Sequence, residues 1–132
     1  MTRDPLAILN LIAQTIYDKK GINILALDVR GVSCMTDYVL IAEGNVDRHV
    51  SAIGKAIIEA VEKIGETALH TEGVKEGEWA VLDLFDIMVH LFQPGLRDKY
   101  QLEQLWKDGK IVDLTIVTVN KEIQKEKAGY LL

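Results

Sequence analysis

Residues 78–106 read EWAVLDLFDIMVHLFQPGLRDKYQLEQLW, and the fold is decided within them. Two apolar runs, Trp79–Leu82 and Ile87–Phe92, have the length and composition of strands, and Asp83-Leu84-Phe85-Asp86 joins them. A gap that short predicts a tight hairpin. Its tip is unusual. Turn residues are commonly small and polar, yet Leu84 and Phe85 stand between two aspartates. Either they fold back onto a core, or an apolar knob flanked by negative charge is offered to a partner. Anchors of that kind build protein-binding sites.

Alternation along the hairpin sorts its side chains. If Val89 and Leu91 face the core, His90 shares a face with Met88 and Phe92, and Trp79 shares one with Val81 and Asp83. His90 is then either a structural histidine hydrogen-bonded within the sheet or part of a docking surface. Trp79 presents the same choice between core and contact. Pro94-Gly95 ends the second strand, and Leu96–Gln101 predicts a short helix braced by Arg97 and Tyr100 at the surface. Leu102, Leu105 and Trp106 are expected to cover an end of the sheet.

Upstream, Asp4-Pro5 is a helix start, a capping carboxylate followed by proline at the first helical position. Leu6, Leu9, Ile12, Ala13 and Ile16 follow at helical spacing, with Gly21 as the residue beyond the end. Ile24–Val29 and Tyr38–Ala42 predict strands, and the continuous apolar character of the second predicts burial on both faces. A helix from about Asp47 to Ile64 carries Val50, Ile53, Ile57, Val61 and Ile64 on one stripe. Asn45 is its candidate cap, Gly65 its end, and Gly54 inside it implies close packing. A short edge strand falls near Ala68–Thr71. The order αββαβββα predicts an α/β fold, a single domain with a mixed sheet of about five strands and two long helices packed on it. The domain is expected to span 1–109. Residues 110–132 form a C-terminal extension in which Ile111–Val119, rich in β-branched residues, is a candidate further strand and Lys121–Lys127 is a short helix or loose.

With 132 residues, 48% hydrophobic and 27% charged, the chain has the balance of one soluble domain. No apolar run approaches the roughly 20 residues of a membrane helix, and no secretory signal is recognisable. One cysteine, Cys34, excludes an internal disulfide and suits a reducing cytoplasm. The net charge of −5, with scattered lysines, disfavours direct nucleic-acid binding as the main activity. It suits a basic protein partner, because complementary charge speeds encounter and fixes orientation.

Catalytic patterns are thin. The three histidines, His49, His70 and His90, show no close metal-ligand spacing. Asp83 and Asp86 are separated by a turn and do not make the paired carboxylates of a two-metal site. Cys34 reads as an inert packed thiol, and no glycine-rich phosphate loop is present. No catalytic residue, metal or cofactor is expected.

One combined pattern is specific. Gly77-x-Trp79, Leu82-Asp83-x-x-Asp86, Val89-His90-x-Phe92 and Arg97-x-x-Tyr100-x-Leu102-Glu103-x-Leu105-Trp106 follow Asp37-Tyr38-Val39-Leu40-Ile41 and Asp47-Arg48-His49-Val50. Together they resemble the ribosomal silencing factor family, the Iojap-related proteins, over roughly residues 5 to 107. The resemblance implies a fold similar to that of the nucleotidyltransferases, but the Gly-Ser loop and Asp-x-Asp strand of those enzymes are absent here. It also implies a non-enzymatic role. The chain would dock on the large ribosomal subunit through its fourteenth protein, block joining of the small subunit and lower translation. Trp79, Asp83, Leu84, Phe85, Asp86, Met88 and His90 are the expected contacts, and a homodimer through the same surface is compatible with them. A nucleotide- or metal-dependent transferase is the alternative. In the turn, where the family usually has glycine, this chain has Phe85. If the turn needs a positive φ, phenylalanine is strained there; otherwise the tip differs and Phe85 adds contact.

Overall fold

The computed structural model describes residues 3–100, 104, 107–118 and 123–126. The sequence dictates helix α1 (Pro5–Asp18) from its first residues. The Asp4 carboxylate accepts the Ala7 N–H at 3.3 Å, and Pro5 occupies the first turn, where an N–H has no helical partner. Its apolar stripe buries Ile8, Leu9, Ile12, Ala13 and Ile16, while Leu6 lies outside it and exposed. The helix stops one residue earlier than the glycine suggests. Lys20 takes the left-handed conformation (φ 65°), and Gly21 serves close packing instead, since a Cβ there would meet Ile16 Cγ2 at 2.3 Å.

Strands β1 (Ile22–Asp28) and β2 (Tyr38–Glu43) pair antiparallel, and helix α2 (Asp47–Lys63) follows. The α2 stripe buries Val50, Ile53, Ile57 and Val61. Asn45 does not cap it. The N-cap is Val46, whose side chain makes no capping bond. Asn45 instead donates its N–H to His49 Nδ1 (2.9 Å), and His49 Nε2 meets the Lys19 carbonyl at 2.6 Å, tying the end of α1 to the start of α2. The far end closes as expected on Gly65 (φ 84°), with Gly65 N–H to Glu62 O and Glu66 N–H to Val61 O. Ile64 is exposed there. Gly54 admits Val74, whose Cγ1 would lie 3.1 Å from an added Cβ.

Strands β3 (His70–Glu72), β4 (Trp79–Asp83) and β5 (Ile87–Phe92) form an antiparallel meander, and β5 returns parallel to β2. After helix α3 (Leu96–Tyr100) comes β6 (Lys110–Ile111), which adds to the far side of β1. The mixed sheet therefore runs β3-β4-β5-β2-β1-β6, six strands where about five were expected. Both long helices pack against one face, over Ile24, Ala26, Leu40, Ala42, Ala80, Leu82, Val89 and Leu91. Every residue of β2 is buried, as its unbroken apolar run predicts.

The expected boundary at 109 does not separate two structural units. β6 belongs to the main sheet, and β7 (Leu114–Val117) packs on α1 with Leu114 and Ile116 in the core. β7 pairs with β8 (Ile123–Glu126) in a separate ribbon, so the described part of a segment read as helix or loose is a strand. The other edge of β7 is satisfied by amide side chains of α1. Thr115 N–H donates to Asn10 Oδ1 (2.7 Å) and Val117 N–H to Gln14 Oε1 (2.7 Å), while Gln14 Nε2 donates to the Val117 carbonyl (2.9 Å). Those bonds remove the open backbone row that an edge strand otherwise presents.

Two further expectations are corrected. Arg97 is no surface brace. Its side chain is buried, donating to the Asn23 carbonyl (2.6 Å) and to Glu43 Oε2 (3.1 Å), and Asn23 Nδ2 also donates to Glu43 (3.1 Å). A carboxylate and a guanidinium tolerate burial when each neutralises the other. Cys34 is exposed in the β1–β2 loop rather than packed. The side chain of Tyr100, together with Leu102, Leu105, Trp106, Val119, Lys121 and Lys127, lies outside the described residues. No described helix is long and apolar enough to cross a membrane.

Candidate protein-docking face

The face of the sheet turned away from α1 and α2 has two halves. Over β1 and β2 it is sealed. Leu25, Leu27, Val29, Val39 and Ile41 are buried with Phe92, and Leu96 of α3 and, from the neighbouring half, Trp79 pack on them. Over β4 and β5 the same face stays partly open. Trp79, Val81 and Asp83 alternate with the buried Ala80 and Leu82, and Met88 and His90 alternate with the buried Ile87, Val89 and Leu91. Antiparallel register sets Trp79 opposite Phe92, Val81 opposite His90, and Asp83 opposite Met88. A period of two in the sequence thus becomes one contiguous patch.

Within the patch, Trp79 and His90 lock together. Trp79 Nε1 donates to His90 Nδ1 at 3.2 Å, with ring centroids 6.1 Å apart, and Trp79 meets Phe92 edge-on at 6.2 Å. Burial pushes the His90 imidazole down to about 4, so it is neutral at pH 7 and its Nδ1 accepts from Trp79. His90 is therefore hydrogen-bonded within the sheet, as one of the two sequence readings has it, while remaining part of the half-open face.

At the tip the two apolar residues part company. Leu84 is 1% exposed and belongs to the helix-side core; it cannot serve as a contact knob, which corrects its place among the expected contacts. Its burial follows from alternation, because Leu84 continues the inward series Ala80, Leu82. Phe85 is 72% exposed and sits at φ 78°, the left-handed region that the sequence comparison with glycine anticipates. The Asp83 carboxylate accepts the Phe85 N–H (2.9 Å), an Asx turn, and Leu84 N–H closes on the Ile87 carbonyl (2.9 Å).

Asp86 is also corrected in role. Arg3 Nε donates to both of its oxygens at 3.0 Å, so this carboxylate is held inside the molecule rather than offered to a partner's cations. Asp83 remains half-exposed on the open face, beside Met88. Among the described residues no group of three His, Cys, Asp or Glu side chains is placed to hold a metal ion. Two residues, one in the patch and one behind its turn, went unnamed in the sequence reading of contacts. Val81 was available from its alternation with Trp79 and Asp83. Arg3 was not, since 83 positions separate it from Asp86.

The architecture defines an α/β domain with its two long helices on one sheet face and the other face half open. A crystal structure of a Chromobacterium violaceum protein matches it with a TM-score of 0.77 and 28% identity, covering 80% of this chain and 88% of that one. That likeness supports the mixed α/β fold and does not bear on nucleotidyltransferases. The family model described as ribosomal silencing factor during starvation matches residues 2–130. Over 108 residues the chain is 40% identical to the ribosomal silencing factor of Bacillus subtilis (strain 168), 82% of this chain and 92% of that one. A more distant relative, at 28% over 74 residues, is the mouse protein named mitochondrial assembly of ribosomal large subunit protein 1; the match takes in 54% of this chain and 32% of that one. The chain belongs to the ribosomal silencing factor family.

Proposed function

We propose that the protein silences ribosomes by occupying space. The open β4–β5 face and the Phe85 tip dock on the large ribosomal subunit, at its fourteenth protein, and the bound domain keeps the small subunit from joining. The observation that carries this reading is the division of the outer sheet face. Trp79, Val81, Met88 and His90 stay partly accessible on one half while the other half is sealed. Half-accessible aromatic and aliphatic groups beside a carboxylate are what a hot-spot contact needs. The net charge of −5 suits a basic ribosomal protein better than rRNA phosphates. Asp83, rather than Asp86, supplies the carboxylate on the patch.

No bond is made or broken in this mechanism. A transferase reading would draw on Asp83 and Asp86, but both carboxylates already serve the turn, one by accepting the Phe85 N–H and the other by gripping Arg3. The protein works in the cytoplasm, among the ribosomes. Self-association through the same face would compete with docking, and light scattering against concentration reveals it.

The test is co-sedimentation of the full chain with isolated large subunits, followed by a subunit-joining assay. The parent should bind and stop pairing. Trp79→Ala should lose at least about 2 kcal/mol of affinity, the scale of an interface anchor. Unchanged binding by Trp79→Ala and by Phe85→Ala together would sink this face as the contact.

A further inference from the structure

The Phe85 ring is large, exposed and carried by a backbone conformation that side chains avoid. Such a group holds one position only where its surroundings fix it. On one side the turn is held by β2, since the Asp86 carbonyl accepts the N–H groups of Asp37 (3.1 Å) and Tyr38 (2.9 Å). On the other side it is held by Arg3, just before α1. The Arg3 guanidinium donates to both Asp86 oxygens, reaches the Leu84 carbonyl through Nη2 (3.0 Å), and forms an ion pair with Glu66 just past α2. One fork thereby joins the start of α1, the end of α2 and the two residues that flank Phe85. It satisfies a carboxylate and a carbonyl of the turn while leaving the Phe85 ring itself outside.

Resting on the docking reading above, we propose that Arg3 is a positioning residue for that surface. It clasps the β4–β5 turn so that the Phe85 ring stands preformed toward the partner. The complementary socket is apolar and rimmed with Lys or Arg, because the tip carries the exposed Asp37 and the half-exposed Asp83, and the single cation of Arg3, shared between Asp86 and Glu66, leaves that group negative as well. Without the fork the turn relaxes among several conformers. The measured dissociation constant then rises by the reciprocal of the fraction that remains competent, about tenfold if one-tenth does.

The experiment uses the full chain and two readouts. In the free protein, amide hydrogen exchange is followed by NMR at Leu84 and Asp86 and, as a reference, at Val89 and Leu91 in the core. Affinity for isolated large subunits is measured for Arg3→Ala, Arg3→Lys, Phe85→Ala and the Arg3→Ala/Phe85→Ala double variant. Arg3→Ala should speed exchange at the turn alone and weaken binding about tenfold. Arg3→Lys should recover only part, because an ammonium cannot span carboxylate and carbonyl as a planar fork does. In the Phe85→Ala background the Arg3 effect should vanish, since there is no ring left to position. If Arg3→Ala weakens binding equally in both backgrounds, or speeds core exchange in step with the turn, Arg3 only braces the fold and the proposal is overturned. If Phe85→Ala binds like the parent while Trp79→Ala does not, the preformed tip is wrong and the docking face stands. If neither matters, the docking face falls too.

Discussion

The two halves of the outer sheet face lie side by side on one sheet and end in opposite states. Over β1 and β2 the layer of Leu25, Leu27, Val39 and Ile41 is closed beneath Leu96 and fastened at its edge by the buried Arg97–Glu43 pair. Over β4 and β5 the layer of Trp79, Val81, Met88 and His90 is held together sideways, by the Trp79–His90 hydrogen bond and the register of the hairpin, without a comparable lid among the described residues. Sideways bonding lets a face keep its shape while remaining available. The sealed half should therefore respond to mutation as stability, and the open half as binding.

The largest effect is expected at the fastening of the sealed half. Arg97→Ala leaves Glu43 buried without its guanidinium, which destabilises by about 3–5 kcal/mol. Thermal unfolding should show a fall on the order of 10–20 °C for a chain of this size. A loss below about 1 kcal/mol would mean the pair is wetter than its burial indicates.

The next comparison sets one position from each half side by side. Ile41→Ala removes a fully buried side chain and should cost about 2–4 kcal/mol, whereas Val81→Ala, half-buried, should cost less than about 1 kcal/mol. Binding to large subunits should order the two the other way. Urea melts and co-sedimentation of both variants test this directly, and equal stability losses would erase the distinction between the halves.

A smaller effect belongs to pH. His90 takes its proton at about 4 in the folded chain and near 6.5 when unfolded. Between those values the unfolded chain binds the proton that the folded chain refuses. Stability therefore falls as pH drops from 6.5 towards 4, and His90 contributes at most about 3 kcal/mol to that fall. Protonation also removes the Nδ1 lone pair that accepts from Trp79. The difference between parent and His90→Gln melts, taken from pH 7 to 4, isolates the term; a flat difference would show that His90 is better hydrated than its place in the sheet implies.

Sequence periodicity made the open half readable and left the sealed half partly hidden. Trp79, Val81 and Asp83, then Met88 and His90, follow from a strict period of two, and the hairpin bounds follow from Asp83 to Asp86. Which of Leu84 and Phe85 points inward follows from the same alternation, once the turn is known not to shift it. Arg97 was misread because a lone arginine on a short helix looks solvated; its partner Glu43 lies 54 positions away and carries no local mark. The role of Arg3 was invisible for the same reason. Of the second ribbon, β7 lies within the β-branched Ile111–Val119, while β8 was missed because charged Lys121–Lys127 lacks an apolar alternation.

The smallest expected change in stability is the one that most sharpens the contrast, because it should carry the opposite sign. Phe85 adopts φ 78°, a conformation that costs a non-glycine residue about 1–2 kcal/mol, and its ring is mostly in solvent. Phe85→Gly removes the steric penalty. It also makes the unfolded chain more flexible, which offsets part of the gain. The net result should be a domain more stable by up to about 1 kcal/mol, with the Asp83 and Arg3 bonds to the turn retained. Affinity for the large subunit should fall nonetheless, since the variant has lost the exposed ring. A residue that burdens the fold while serving the surface is what a contact position looks like energetically. If Phe85→Gly instead lowers the melting temperature, the ring is packing against the protein in solution, and the open half is more closed than the hairpin geometry indicates.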